Sequence, residues 1–282
     1  MSINSSRLFQ LFKYVVYALL AFNTYLFWSQ EMLAAAVQFP NGVATSDLID
    51  AYAATIDTAA WVILLLMFEL ETYVLEDDHY VPAVTWSLHG VRVLCYIFIV
   101  YAFYGYIVNL AFIYQATPLA GISNICSLIS DGWSYATNLD EYVQLTAANC
   151  GSFSDAGAFL RFEGIPAVVD ATGLKDIKNL ARVDVINAAV WLIVVLVLEI
   201  DVWLQERNRF EGAALWISNA SKFVLYSALL LAAIYWGIKG DFVDFWDAFL
   251  WLVAFIFIEL NVFEWREEIK EAELQSQIRT SS

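Results

Sequence analysis

Six long apolar segments constrain the fold of this chain more than any other feature of its sequence. Each is about 20 residues or longer, the length that an α-helix needs to cross the hydrocarbon core of a bilayer. Strands of a membrane barrel would instead appear as segments of about ten residues with alternating polarity. The sequence therefore predicts an all-α integral membrane protein with six transmembrane helices, at roughly 14–36, 51–74, 86–114, 183–204, 214–238 and 242–263.

Composition and net charge agree with this class and exclude others. Apolar residues make up 61% of the chain, against roughly half in soluble domains. The formal net charge is −16, whereas nucleic-acid binding normally needs basic patches. We therefore expect the lipid bilayer as a partner and no nucleic acid, with a homo-oligomer or a second membrane protein left open.

The distribution of basic residues predicts the orientation of the chain. Of the 14 Lys and Arg residues, five fall on one side of the six-helix arrangement and the other nine (14 − 5) on the opposite side. Four of the five lie in one long loop, where the positive-inside rule counts weakly. We expect both termini in the cytoplasm and the chain in a plasma membrane of the bacterial inner type. The five are Arg161, Lys175, Lys178, Arg182 and Lys239.

The same arrangement divides the chain into four parts. Residues 1–115 hold the first three helices, with a first outer loop at about 37–50, and residues 183–263 hold the last three. Residues 264–282 form a cytoplasmic tail. The long loop at 116–182 is the extracytoplasmic part, with short helical patterns near 139–147 and 173–181.

Two of the three cysteines lie in this long loop. Cys126 and Cys150 could pair in an oxidising compartment, whereas in a reducing lumen they would stay two free thiols. Closing a loop of about 25 residues would stabilise the fold by about 3 kcal/mol. We predict the disulfide.

An internal repeat organises the helices. Three segments share a polar residue, a Trp four residues later, a Glu eight after the Trp and a further polar residue two after the Glu. After the first two segments, a Trp, a basic residue and a Tyr follow at equal spacings, and Lys13 and Tyr17 repeat the last two of these in the first helix. The chain thus predicts three two-helix repeats in a pseudo-threefold bundle. The segments are Asp57-Trp61-Glu69-Glu71, Asn187-Trp191-Glu199-Asp201 and Asp247-Trp251-Glu259-Asn261; the followers are Trp86-Arg92-Tyr96 and Trp216-Lys222-Tyr226.

Charged residues must lie at membrane depth in this bundle. Asp57 and Glu69 are 12 residues apart, or about 18 Å along a helix, while the hydrocarbon core is about 30 Å thick. An unpaired charge there costs about 3 kcal/mol or more, so each needs a partner. Equal distance from the hairpin tips predicts three ion pairs: Glu69 with Arg92, Glu199 with Lys222, and Glu259 with Lys13, the last closing the ring of helices.

Acidic residues near the outer helix ends form a candidate cation-attracting mouth. They are Asp57, Asp184, Asp244 and Asp247. Carboxylates there would raise the local concentration of cations. Acids are also favoured at helix N-termini by the helix dipole, so a purely structural role remains open for them.

Motifs that would indicate catalysis are missing from the sequence. It contains no Walker loop, dinucleotide glycine fingerprint, zinc motif or nucleophile elbow, so we expect no enzyme, no cofactor and no metal. Two function classes remain. One is a channel or transporter-like body for protons, cations or a small solute, and the other is a non-catalytic scaffold, sensor or assembly subunit.

Cysteine labelling tests the orientation. A cysteine introduced near Asp155 should react with a membrane-impermeant maleimide in intact cells, because residues 116–182 are predicted to lie outside. A cysteine introduced near Ser281 should react only after permeabilisation. The reverse pattern would contradict the predicted orientation.

Overall fold

The computed structural model is mostly helical and describes residues 5–71, 82–122, 124–153, 158–207 and 210–255. Its α-helices are α1 (Ser5–Gln38), α2 (Leu48–Ala51), α3 (Ala53–Glu69), α4 (Pro82–Ile113), α5 (Ala171–Glu206), α6 (Ala213–Lys239) and α7 (242–255). Its strands are β1 (Thr117–Pro118), β2 (Ser134–Ala136), β3 (Tyr142–Gln144), β4 (Phe159–Arg161) and β5 (Ala167–Asp170). Short 3₁₀ turns cover Thr45–Asp47, Ile125–Asp131 and Cys150–Phe153.

Four of the described helices are long and apolar enough to cross a membrane. They are α1 from Leu8, α4, α5 as far as Gln205, and α6. The segments Thr45–Ala51 and Ala53–Glu69 form a further pair, bent by 79° at Tyr52. Large apolar side chains cover the exposed faces of these helices, as expected for contact with lipid rather than water. Among them are Leu33, Val93, Phe223, Leu231 and Ile238. The chain is therefore an integral membrane protein.

The chain divides into two compact units. One contains residues 5–22 and 229–255 of the described chain, and the other runs from Asn23 to Ala228. In the first unit, the core is built from small and branched side chains of three helices. They are Val16 and Leu20 from α1, Leu229 and Ala233 from α6, and Leu250 and Ala254 from α7.

In the second unit, α3 packs against α4, and α4 packs against α5. Ala60 of α3 and Cys95 and Ile99 of α4 are buried together at this junction. The rings of Trp61 on α3 and Trp191 on α5 are 6.0 Å apart between centroids. These two tryptophans occupy the same position in successive repeats, so equivalent faces of the helices α3 and α5 meet.

The long loop contains a small sheet, which corrects the prediction of an all-α chain. The strand order is β1-β4-β5-β2-β3, and all neighbours are antiparallel except β2 and β5. The region near 139–147 contains β3 rather than a helix, and 173–181 belongs to α5, which begins 12 residues (183 − 171) before the predicted start of the span. Strands of two to four residues are too short to produce a clear period of two.

Each face of the sheet buries its own hydrophobic core. Alternation along β5 sends Ala167 and Val169 to one face and Val168 to the other. The first face packs against Leu174 and Ile177 of α5. The second face packs against the 3₁₀ turn Ile125–Asp131 and the turn that begins at Cys150. The sheet thus has no free face for a second layer within the described residues.

The predicted disulfide is confirmed. Cys126 and Cys150 are bonded, with their Cα atoms 5.1 Å apart and 24 residues between them in sequence. The bond joins the two 3₁₀ turns that cover the second face of the sheet. These turns have little regular structure of their own, so a covalent link limits how far they can open.

A hydrogen bond also ties the sheet to the end of α1. The Gln38 amide donates to the Tyr142 hydroxyl at 2.9 Å. Burial raises the pKa of Tyr142 to about 12, so the phenol stays protonated at any physiological pH. The end of α1 and the edge strand β3 are therefore held together by neutral groups.

Asp170 joins the sheet to α5. It is the last residue of β5 and the N-cap of α5, where its carboxylate accepts a hydrogen bond from the Gly173 N–H at 2.6 Å. The Tyr135 hydroxyl of β2 donates to the same carboxylate at 3.0 Å, and burial, followed by this bond, raises the pKa of Tyr135 to about 12. A Cβ atom on Gly173 would lie 2.8 Å from Val169 Cγ2, so the first turn of α5 closes tightly on the strand.

Replacing Asp170 tests this junction. Asp170→Ala should destabilise the extramembrane domain by about 1–3 kcal/mol, because α5 loses its cap and Tyr135 loses its acceptor. Asp170→Asn retains an acceptor oxygen for the cap and serves as the control, with most of the stability kept. Chemical unfolding of the purified protein, followed by near-UV circular dichroism, gives the measurement. Equal losses for the two variants would contradict the capping role.

Candidate functional site

Two ion pairs link neighbouring helices of the second unit. The first joins α4 to the residues just after α3, where Arg92 Nη2 lies 2.6 Å from Glu71 Oε2. The two side chains are 35% and 24% exposed. A partly exposed pair of this kind contributes about 0–1 kcal/mol. It fixes the direction of the Arg92 side chain more than it adds stability.

The second ion pair is buried and joins α5 to α6. Lys222 Nζ lies 3.1 Å from Asp201 Oδ2, and the side chains are 13% and 5% exposed. The Ser218 hydroxyl donates to the same oxygen at 2.6 Å. Ser218 lies one helical turn before Lys222 and therefore on the same face of α6. Asp201 thus receives two donors from α6, as a buried carboxylate requires.

These pairs occupy equivalent positions in the internal repeat. Glu71 and Arg92 are 21 residues apart (92 − 71), and so are Asp201 and Lys222 (222 − 201). The second pair lies 130 residues after the first (201 − 71). The same offset separates Trp61 from Trp191, whose rings are in contact. The repeat therefore recurs in contacts as well as in residue types.

The observed partners lie two residues beyond those predicted from the sequence. Arg92 was predicted to meet Glu69, and Lys222 to meet Glu199, whereas their salt bridges are with Glu71 and Asp201. Moving the assumed midpoint of a hairpin by one residue moves the partner by two. The second polar position of the repeat, ten residues after each Trp, carried the signal that would have found them.

The predicted carboxylates Glu69 and Glu199 have other surroundings. Glu69 is buried at the end of α3. Glu199 on α5 accepts a hydrogen bond from the Tyr96 hydroxyl on α4 at 3.2 Å. Tyr96 belongs to the repeat as well, so the polar residues of α4 reach both α5 and the end of α3.

Glu31 is a functional candidate that sequence reasoning did not single out. It is buried on α1 and accepts hydrogen bonds from the backbone N–H groups of Ala54 and Thr55, at 2.8 and 3.0 Å, and from the Thr55 hydroxyl at 2.5 Å. These groups form the first turn of α3, immediately after the 79° bend at Tyr52. Tyr52 stands at the N-cap and makes no side-chain cap of its own. A helix start without a local cap was the available signal.

The four acids of the predicted outer mouth are not all brought together. Asp57 on α3 accepts a hydrogen bond from the Tyr106 hydroxyl of α4 at 3.4 Å. Asp184 lies on α5 in the same compact unit, while Asp244 and Asp247 lie on α7 in the other unit. The mouth remains a prediction from sequence.

The third predicted pair falls partly outside the described residues. Lys13 lies on α1, is buried, and has its ammonium 5.1 Å from the centroid of the Tyr14 ring. Glu259 lies beyond residue 255 and so outside the described chain. Among the residues that the structure does describe, no group of three or more His, Cys, Asp or Glu side chains is placed to hold a metal ion.

The two ion pairs give a matched test of burial. Asp201→Asn should cost about 3–5 kcal/mol, because it leaves the Lys222 ammonium buried without a counter-charge. Glu71→Gln removes a carboxylate at the equivalent position of the partly exposed pair and should cost about 1 kcal/mol or less. Unfolding of the two variants in increasing SDS provides the comparison, and equal shifts in the midpoint would show that the two pairs do not differ in burial.

No protein-family model, curated protein or solved structure matches this chain. The repeat-equivalent ion pairs and the sheet fused to α5 therefore have to be interpreted from their own geometry.

Proposed function

We propose that this protein is a non-catalytic membrane scaffold that holds a small disulfide-bonded domain outside the bilayer as a surface for assembly or sensing. One observation carries the proposal. Strand β5 ends at Asp170 and the spanning helix α5 begins at Ala171, with no residue between them. A domain displayed for a rigid contact needs such a junction, whereas a flexible tether would need a linker.

The internal pairing of charges supports the same function. Arg92 and Lys222, which lie on the spanning helices α4 and α6, each have a carboxylate within salt-bridge distance. Asp201 is further satisfied by the Ser218 hydroxyl. Groups that already neutralise one another hold helices in register and leave little charge to attract a moving ion.

We further propose that the complete chain forms six spans as three hairpin repeats, with both termini in the cytoplasm of a bacterial cell and residues 116–182 outside its plasma membrane. The contact between Trp61 and Trp191 supports the repeat. The grouping of residues 5–22 with 229–255 supports a ring in which the first helix neighbours the last. The disulfide supports an oxidising location for the extramembrane domain.

A channel or transporter-like body for protons, cations or a small solute is the second candidate. It is favoured by the break between α2 and α3, because transporters bind solutes at the ends of discontinuous helices. A buried carboxylate, Glu31, lies at this break. The side-chain oxygen Oδ1 of Asn187 on α5 is buried and accepts no hydrogen bond within the described residues.

Proton flux separates the two candidates. The purified protein is reconstituted into vesicles that contain a pH-sensitive dye, and a membrane potential is imposed. A scaffold should give flux no faster than protein-free vesicles, because its intramembrane charges are paired. Flux well above that level in the wild type, lowered about tenfold or more by Glu31→Gln but not by Glu71→Gln, would favour the conduit and overturn the scaffold.

Native electrophoresis of mild detergent extracts supplies the positive test. A scaffold should migrate as part of an assembly larger than its own 31.9 kDa chain and detergent. Reduction of Cys126–Cys150 should shift part of it to smaller species, since the disulfide shapes the domain proposed to make the contacts. A single monomeric species in extracts of native membranes would overturn the assembly role.

A further inference from the structure

A stripe of basic residues runs along α5 where the helix leaves the sheet. Lys175, Lys178 and Arg182 are spaced by three and four residues, which places them on one face of the helix. The adjacent stripe, formed by Leu174, Ile177 and Ala181, is buried against the sheet. The sheet therefore fixes which way the basic stripe points.

Two of these bases converge on one aromatic ring. The Lys178 ammonium lies 4.6 Å from the centroid of the Tyr114 ring, and the Arg182 guanidinium lies 5.5 Å from it. Arg182 also donates to the Tyr114 hydroxyl and, at 2.8 Å, to the side-chain oxygen of Asn179. Both cations are thus held near the same residue, and their mutual repulsion would be relieved by an anion.

The structure supplies no carboxylate to this group. Within the described part of the chain, none of Lys175, Lys178 and Arg182 forms a salt bridge, whereas Arg92 and Lys222 do. The chain has 30 acids against 14 bases, so a cluster of bases without an acidic partner is not explained by a shortage of acids. At 3.6 residues per turn, Asp176 and Asp184 lie about 100° or more around the helix from each of the three bases.

The cluster lies at the boundary between the apolar helices and the extramembrane domain. Tyr114 follows the last residue of α4, Ile113. The apolar segment of α5 begins directly after Arg182, at about residue 183. Tyrosine and basic side chains at the ends of spanning helices lie at the level of the lipid headgroups, and long basic side chains extend toward them.

We propose that Lys175, Lys178, Arg182 and Tyr114 bind the phosphate of an anionic phospholipid. Arg182 supplies the planar donor group that matches phosphate oxygens, and the two lysines supply charge. The bound lipid would hold the first turns of α5, and with them the sheet, against the bilayer surface. This inference is independent of the scaffold function, since a conduit would need the same anchoring.

Lipid retention by the full-length protein tests the proposal. The protein is reconstituted with an equal mixture of phosphatidylglycerol and phosphatidylcholine, extracted in mild detergent, and analysed by native mass spectrometry. The wild type should retain phosphatidylglycerol preferentially. Equal retention of the two lipids by the wild type would overturn the proposal without any substitution.

Variants locate the binding. Lys178→Gln combined with Arg182→Gln should lower the affinity for phosphatidylglycerol about tenfold or more, because charged hydrogen bonds to phosphate are lost. Arg207→Gln is the matched control, since Arg207 also stacks on an aromatic ring, Trp203 at 4.0 Å, but near the opposite end of α5. An intact Cys126–Cys150 disulfide in each variant shows that the extramembrane domain has folded.

Two further outcomes would overturn the site. One is an equal loss of phosphatidylglycerol in the control variant, which would mean that net charge rather than this cluster selects the lipid. The other is displacement of the lipid by excess inorganic phosphate at similar concentrations, which would mean that the cluster takes a soluble anion. Retention that inorganic phosphate leaves unchanged supports the lipid.

Discussion

The need to satisfy polar groups where no water is available shapes the rest of this structure. In the bilayer, a buried charge without a partner costs several kcal/mol, so a helix that carries one must be placed beside a helix that neutralises it. Asp201 meets this need with the Lys222 ammonium and the Ser218 hydroxyl of α6. Glu31 meets it with the unpaired N–H groups at the start of α3. In both cases, the polar group determines which neighbour the helix must have and at which depth.

The sequence carried the class of fold and the organisation of the helices, because the signals for both are long or repeated. A run of 20 apolar residues is unambiguous, and the recurrence of Trp61 at Trp191 found two residues whose rings touch. The disulfide was also predictable, since Cys126 and Cys150 are the cysteines of a single loop. The strands were missed because a segment such as Ala167–Asp170 is too short to show alternation. The ion-pair partners were missed by two residues because the shape of a hairpin tip is not written in its midpoint, and Glu31 was missed because its donors are backbone groups 23 and 24 residues away.

The extramembrane domain depends on its spanning helix for much of its core. One face of the sheet is covered by Leu174, Ile177 and Ala181 of α5, so the domain would lose that core if it were separated from the membrane part. Asp170 adds a polar link at the same junction, where it caps α5 and accepts from Tyr135. A displacement of α5 along or around its axis would therefore be transmitted to the sheet directly. The same rigidity serves the display of a surface and the sensing of an event at that surface.

The third repeat departs from the first two at the position that matters most for this pairing. In the first two repeats, the residue ten after the Trp is an acid, Glu71 or Asp201, and it forms the ion pair. In the third, that position holds Asn261, which carries no charge. An amide can accept a hydrogen bond from an ammonium but cannot neutralise it, so the counter-charge for Lys13 has to come from another position, and Glu259, two residues earlier, is the acid that the repeat itself provides. A ring of three hairpins would then be closed by a pair of different register from the other two, which marks the junction of the first and last helices as chemically distinct within an otherwise repeated frame.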